Sequence, residues 1–119
     1  MEQTPTSLAE MRALRDSAVV VADENGRIVE VNEEFERLFG WTSGEIVGRS
    51  LTTIIPPDLR DAHNLGFSRF VMTRQPTVLN HPIRVQAIAK DGKVFAAEHV
   101  IVGEKQSGGW VFAARIRPL

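Results

Sequence analysis

The last third of this chain constrains the fold more than any other feature, because it reads as consecutive strands joined by short turns. Residues 81–90 (HPIRVQAIAK) and 94–102 (VFAAEHVIV) flank Lys90-Asp91-Gly92-Lys93, and Asp-Gly between two such runs is a strong hairpin signal. The loop GEKQSGG then leads to a final run, WVFAARIR. Two earlier β-rich runs surround Asn-Gly at positions 25–26, a second hairpin signal. These runs predict an antiparallel sheet.

The segment before the first run has the spacing of a short amphipathic helix. SLAEMRALR opens with Ser7 and carries Glu10 three residues later, which is a capping-box pattern. Its narrow apolar stripe can fold back on the domain or pair with a second copy, and helical spacing alone does not choose between these. We therefore assign residues 1–15 to an N-terminal capping or dimerisation helix and residues 16–117 to the main domain.

Between the two groups of strands the sequence favours several small helices. Asn32 is expected to cap NEEFERLFG, and Gly40 is expected to end that helix. A second short helix is expected over residues 43–48, and a longer one follows the double proline at 56–57, to about residue 73. Because strands and helices are segregated along the chain, the predicted fold class is α+β. We expect a five-stranded antiparallel sheet with one face covered by helices and one face open to water.

Composition excludes several classes of function. The chain of 119 residues fits one domain, and its net charge of -1 gives no electrostatic case for nucleic acid or an anionic membrane as a partner. There are no cysteines, which excludes disulfides, thiolate-ligated metals and thiol nucleophiles. No apolar run is long enough to span a bilayer, and the N-terminus lacks the layout of a signal peptide. A cytoplasmic location is therefore expected.

The order of elements and several local motifs resemble a PAS domain. The matching stretches are VVVADENGRIVEVNEEFERLFGWTSGEIVGRSL, the helix after the double proline, KDGKVF and GGWVFAARIR, so that the resemblance covers about residues 16–117. It implies a five-stranded antiparallel sheet cupped against small helices, with a cavity between the sheet and the longest helix. PAS domains sense small molecules, bind cofactors or relay conformational change between partners. They are rarely enzymes, so no enzymatic activity is expected.

Around IPPDLRDAHNLGFSRF the sequence more closely resembles the haem-binding PAS domains of oxygen-sensing kinases and phosphodiesterases. The resemblance implies that His63 is the proximal iron ligand and that Arg69 lies near a haem propionate. Helical spacing independently places His63, Gly66 and Phe70 along one face. Gly66, one turn from His63, would let a porphyrin lie close to the helix, and tight packing of helix on sheet explains it equally well.

The distal side of such a site would come from the strands. An ungapped register sets His81 and Ile83 where relatives have a distal methionine or arginine, and His99 and Ile101 where they have apolar residues. The alternation of side chains along the strand gives the same result without the resemblance. Glu98 must face solvent or find a partner, so its neighbours His99 and Ile101, which point to the opposite face, are expected to face the core. His81 lies at the rim of that face, and all three histidines of the chain are candidates for one cavity.

The residues leave alternatives open at this site. A histidine on an apolar face is more commonly a core-edge residue with one hydrogen bond than a metal ligand, and a zinc site built from the three histidines is a further alternative. We interpret His63 and His99 as candidate ligands of a haem iron. Otherwise the cavity holds no cofactor or an unknown small ligand.

The predicted function is that of a sensory or signalling PAS domain. It would bind a small ligand or haem and relay that state to a downstream signalling protein, such as a histidine kinase or another effector. The alternative is a cofactor-free module for protein–protein interaction that dimerises through its N-terminal helix and outer sheet face. A homodimer is the expected assembly.

Overall fold

The computed structural model describes residue 5, residues 7–60 and residues 83–119. In this part of the chain there are three α-helices and five strands: α1, Leu8–Ala13; β1, Ala18–Asp23; β2, Ile28–Val31; α2, Glu33–Phe39; α3, Ser43–Ile46; β3, Ile83–Ile88; β4, Val94–Gln106; β5, Gly109–Pro118. Two 3-10 turns, Leu51–Ile54 and Pro57–Leu59, follow α3. Within the same residues, no helix has the length and apolar character needed to cross a membrane.

The five strands form one antiparallel sheet in the order β2-β1-β5-β4-β3. The last strand lies at the centre, because β5 pairs with β1, where Val20 faces Ala114, and with β4, where His99 faces Ile116. The N-terminal hairpin and the C-terminal strands are thereby joined into a single sheet. This confirms the predicted α+β fold with a five-stranded antiparallel sheet and small helices.

Glycines at positive φ close the two predicted hairpins. The N–H of Gly26, at φ 78°, donates to the carbonyl of Asp23 over 3.0 Å, and the N–H of Gly92, at φ 91°, donates to the carbonyl of Ala89 over 3.0 Å. A side chain at these left-handed positions would cost conformational energy, which is why Asn-Gly and Asp-Gly are informative signals.

The connection between β4 and β5 is shorter than predicted. The stretch GEKQSGG reads as a loop, but β4 continues through Gln106, which pairs with Gly109, and only residues 107–108 lie between the strands. The polar residues Glu104 and Lys105 extend the ladder opposite Val111 and Trp110. Backbone pairing with β5 thus outweighs the weak strand propensity of this stretch.

Helix α2 covers one face of the sheet, which we call the inner face. The Oδ1 atom of Asn32 accepts a hydrogen bond from the N–H of Phe35 at its start, and Gly40 at φ 77° ends it, as predicted. Phe35 and Phe39 are fully buried, with ring centroids 4.5 Å apart. They belong to a core cluster that includes Ala18, Val20, Ile28, Phe35, Phe39, Ile46, Ile54, Ile55, Ala87, Ala97 and Ile116.

The opposite face of the sheet, the outer face, differs from the prediction, because α1 covers part of it. Leu8 and Met11 of α1 are buried, at 4% and 0% exposed. They pack in a second cluster with Val19, Val21, Val100, Val102 and Ala113. The strand β1 reads AVVVAD, without alternation of polar and apolar residues, so it presents apolar side chains to both faces. The division of the chain at residue 15 and a role of α1 in dimerisation stay predictions.

Candidate functional site

His99 lies on the inner face of the sheet, in the middle of β4. The residue is 6% exposed. In the register of the sheet it stands between Ile83 of β3 and Ile116 of β5. Ala97, two residues earlier on the same face, is fully buried against the α2 cluster. An imidazole, a side chain that can bind a metal, thus lies among aliphatic residues of the two neighbouring strands.

The strand parity predicted from Glu98 is confirmed, because Glu98 points to the outer face and finds a partner there. Its Oε1 atom lies 3.1 Å from Nη2 of Arg115, and Arg115 is only 4% exposed. Sequence reasoning missed this buried arginine. The signal was present in WVFAARIR, since Ala114 and Ile116 face inward and the intervening Arg115 must then face outward.

Ile83 is more exposed than its predicted inward position suggests. It shares the inner face with His99, but 40% of its surface remains exposed. Ala87, four residues later on the same strand, is fully buried in the α2 cluster. β3 is an edge strand, and within the described residues α2 and α3 pack over its Ala87 end rather than its Ile83 end.

Five of the predicted site residues lie outside the described residues: His63, Gly66, Arg69, Phe70 and His81. Their roles, and those of His99, Ile83 and Ile101 in binding, stay predictions. Over residues 7–60 and 83–119, no group of three or more His, Cys, Asp or Glu side chains is arranged to hold a metal ion. A site formed by His63 and His99 would combine one residue outside the described ranges with one residue of β4.

The inner face has two parts of different character. One part is filled by α2, α3 and the first 3-10 turn, around Ala87, Ala97 and Ile116. On the other part Phe112, 5% exposed, packs in parallel with Trp110 at a centroid distance of 6.2 Å. Among the described residues, Phe112 does not join the buried cluster around α2. His99 and Ile101 lie on the same face opposite Ile116 and Ala114 of β5, so the inner face combines an imidazole with aliphatic and aromatic side chains.

A polar contact on the surface fixes α3 against the β3–β4 hairpin. The Nζ atom of Lys90 lies 2.6 Å from Oε2 of Glu45, and both side chains are 40–45% exposed. The hydrogen bond from Lys90, followed by bonds from the Thr42 backbone and side chain, lowers the pKa of Glu45 to about 2. Lys90 and Arg49 also lie over the ring of Trp41, at 5.3 and 4.8 Å from its centroid. These contacts position the helices that cover the packed part of the inner face.

Comparison with known families and proteins agrees with this architecture. A family model described as the PAS fold matches residues 11–108. A protein of Azorhizobium caulinodans described as uncharacterized is 38% identical over 117 residues, which is 95% of this chain and 16% of that protein. Sensor protein FixL of Bradyrhizobium diazoefficiens is 34% identical over 92 residues, which is 77% of this chain and 18% of that protein. The chain therefore spans less than a fifth of the length of these relatives.

Solved structures have the same fold at lower sequence identity. The crystal structure of the PAS domain of a protein from Colwellia psychrerythraea superposes with a TM-score of 0.71 at 18% identity, covering 87% of this chain and 86% of that chain.

Proposed function

This chain belongs to the PAS family, and from that premise we propose that it is a sensory module that binds haem on the inner face of its sheet. The observation that carries the proposal is His99, an imidazole held at 6% exposure in register between two isoleucines. A relative that is 34% identical is named as a sensor protein, which supports a sensing role rather than a catalytic one.

The described residues of the inner face fit haem in chemical type. Imidazole is a common axial ligand of haem iron, and aliphatic and aromatic side chains suit the apolar macrocycle. We infer that His63 is the proximal ligand and His99 the distal ligand. When bound, haem supplies an iron at which a diatomic gas or a change of redox state can displace one axial ligand.

The remaining residues would shape the site around the two histidines. Arg69 supplies a cation for a propionate carboxylate, and Gly66 leaves room for close approach of the ring. Ile101, on the same face as His99, contributes apolar surface beside it. The proposed wall of the site is formed by Phe70, His81, Ile83 and Ile101.

The output of the module would be a change in its contact with a partner. A ligand that favours one arrangement of the inner face shifts the population of that arrangement by its difference in affinity. We propose a histidine kinase or another cytoplasmic effector as the recipient, and a homodimer as the working assembly. The length of the relatives, of which this chain spans 16% and 18%, leaves room for such an effector within one polypeptide.

An absorption spectrum tests the haem proposal directly. The protein purified after haem supplementation is expected to show a Soret band of a six-coordinate, bis-histidine iron. His63→Ala is expected to remove the band or weaken haem retention, and His99→Ala to convert it to a five-coordinate spectrum. His81→Ala is the control for iron ligation, because His81 is the third histidine of the chain and is proposed to line the rim of the site without binding the iron. A spectrum that is unchanged in both His63→Ala and His99→Ala would contradict the assignment.

A cofactor-free interaction module is the second candidate function, and the outer face favours it. Beyond α1, one row across the strands β3, β4 and β5 consists of Arg84, Glu98 and Arg117. A row with both charges can pair with its own copy about a two-fold axis. Light scattering is expected to show a dimer that is weakened by Arg84→Glu and lost when residues 1–15 are removed. The protein is expected to be colourless, and an unaltered dimer in the truncated chain would contradict dimerisation through α1.

A further inference from the structure

One amide side chain, that of Asn32, joins segments on both faces of the sheet. Its Oδ1 atom accepts hydrogen bonds from the N–H of Val19, at 2.9 Å, and of Phe35, at 3.0 Å. Its Nδ2 atom donates to the carbonyl of Ser17 at 2.8 Å and, at 3.4 Å, to that of Leu14. Leu14 and Ser17 belong to the link between α1 and β1, whereas Phe35 belongs to the first turn of α2. Asn32 therefore contacts the start of α2 and the link that follows α1 through different ends of one planar group.

The two helices held by Asn32 lie on opposite faces. Phe35 is fully buried in the inner cluster, in contact with the ring of Phe39. Met11 of α1 is fully buried in the outer cluster. The strand between them, β1, contributes Val20 to the inner cluster and Val21 to the outer one. The hydrogen bonds of Asn32 thus connect the start of α2, on the inner face, with the residues that follow α1, on the outer face.

Two other polar contacts of α1 lie on the outer face and at its margin. The N–H of Leu8 donates to Oε2 of Glu104 on β4 at 2.6 Å. Arg12 pairs with Glu30 on β2 at 3.2 Å, with both side chains about half exposed. Neither contact involves a helix of the inner face. In the described part of the chain, the amide of Asn32 links Leu14 and Ser17, which follow α1, to Phe35 in the first turn of α2.

We propose that Asn32 is a coupling residue, whose amide transmits the position of α2 on the inner face to the docking of α1 on the outer face. This inference rests on the proposed sensory function, because it supplies the route by which a change at the inner face leaves the domain. A carboxylate or hydroxyl at this position can still accept from the N–H of Phe35, since Asp and Ser are both favoured N-cap residues. A carboxylate has no N–H to donate to the carbonyls of Ser17 and Leu14, and a serine hydroxyl, one atom shorter, has a single O–H for the two carbonyls.

The test measures amide hydrogen exchange in α1 without any ligand. The N–H groups of Met11 and Leu14, which donate within this segment, report the docking of α1. Asn32→Asp is expected to raise their exchange about tenfold, because one or two hydrogen bonds are lost and the carboxylate faces carbonyl oxygens. Exchange of the central β5 amides, which reports global unfolding, should change much less. Asn32→Ser is the second variant and keeps the result decisive if Asn32→Asp folds poorly.

Coupling itself is tested by a cycle with a change on the inner face. Phe35→Leu is expected to raise the exchange of the α1 amides several-fold with the native Asn32, and to add little in the Asn32→Asp background. Ile46→Val is the matched control, because it alters the inner cluster through α3 rather than α2. Arg12→Gln is a second control, because it weakens the contact of α1 with Glu30 without touching Asn32. In that background Phe35→Leu should still raise the exchange of the α1 amides.

Two outcomes would overturn the proposal. One is an equal effect of Phe35→Leu in both backgrounds, and the other is no effect on α1 with the native Asn32. Because no ligand is added, a failure of haem to bind does not alter this result. Conversely, an uncoupled Asn32 would leave the haem spectrum unchanged, so the two proposals fail separately.

Discussion

Single carboxylates connect segments that are far apart in the sequence. Glu24, in the turn after β1, accepts a hydrogen bond at 3.1 Å from the N–H of Trp110 at the start of β5. Glu45, in α3, binds Lys90 at the start of the β3–β4 turn. Both contacts lie near the surface, so each contributes modestly to stability. Their importance is geometric, because they set the positions of turns and helices around the sheet.

The ionisation of Glu45 makes the α3 contact dependent on pH. Its pKa in the folded protein is about 2, below the ordinary 4.5, because of the hydrogen bonds from Lys90 and Thr42. The contact therefore stabilises the fold above pH 4.5, and this contribution is lost as the pH falls through about 2. Carbon-detected NMR titration should show a higher pKa for Glu45 in Lys90→Ala. Lys93→Ala, a neighbouring exposed lysine, should leave the midpoint unchanged; an equal rise in both variants would refute the assignment.

A side chain at Gly109 should destabilise the fold, mainly because of the backbone conformation there. Its φ is 127°, and an added Cβ would lie 2.9 Å from the carboxyl carbon of Glu24. Gly109→Ala is expected to lower the free energy of unfolding by about 1–3 kcal/mol through backbone strain and displacement of that carboxylate. Gly108→Ala is the matched control, because a Cβ there meets no atom within 4 Å. Urea unfolding of the two variants measures the difference, and equal stabilities would contradict the steric reason.

At the scale of elements, α1 is short and depends on packing rather than on its own propensity. It has 6 residues, and isolated helices of this length are not stable in water. Ser7 caps it through a hydrogen bond from the N–H of Glu10, and Glu104 binds the N–H of Leu8. Leu8 and Met11 supply its apolar contact with the sheet. Helix formation and docking are therefore expected to occur together.

Met11→Ala tests the docking of α1. Removing a fully buried methionine side chain is expected to lower the free energy of unfolding by about 2 kcal/mol or more. The loss in Met11→Ala cannot exceed the total contribution of α1 docking to stability. That contribution is measured by comparing the full chain with a chain that starts at residue 16. Arg12→Ala is the control and should cost less than about 1 kcal/mol, because its ion pair is about half exposed. A Met11→Ala variant as stable as the control, by urea unfolding, would mean that α1 is not docked in solution.

At the scale of the whole molecule, the sheet forms a middle layer with a buried cluster on each side. The inner cluster contains Val20 and the outer cluster contains Val21, adjacent residues of one strand. In the proposed function, the ligand-binding face and the face that carries α1 are the two sides of a single hydrogen-bonded sheet. A ligand on the inner face would be separated from α1 by this one sheet alone.

Adjacent valines of β1 should therefore contribute almost equally to stability. Val20→Ala and Val21→Ala are each expected to cost about 2 kcal/mol, because both residues are at most 2% exposed. Val29→Ala on β2 is the control and should change stability by less than about 0.5 kcal/mol, since that residue is 44% exposed. A sheet with one open face would instead make Val21→Ala as mild as the control in urea unfolding.

Local features of the fold could be predicted from the sequence because short segments encode them. The Asn-Gly and Asp-Gly turns, the cap at Asn32 and the stop at Gly40 depend on the conformations available to individual residues. Strand parity placed His99 on the inner face, since alternation along a strand is a property of the backbone. His63, the proposed second ligand, lies outside the described residues.

By itself, then, the sequence determined the antiparallel strands, their turns, the helix caps and the face on which His99 lies. Tertiary structure alone decided that α1 covers the outer face, that β4 extends through Gln106, and that Arg115 is buried beside Glu98. The physical reason is that turns and caps arise from interactions among neighbouring residues. Burial and strand length depend on which surfaces meet, and those surfaces come from residues as far apart as Leu8 and Glu104.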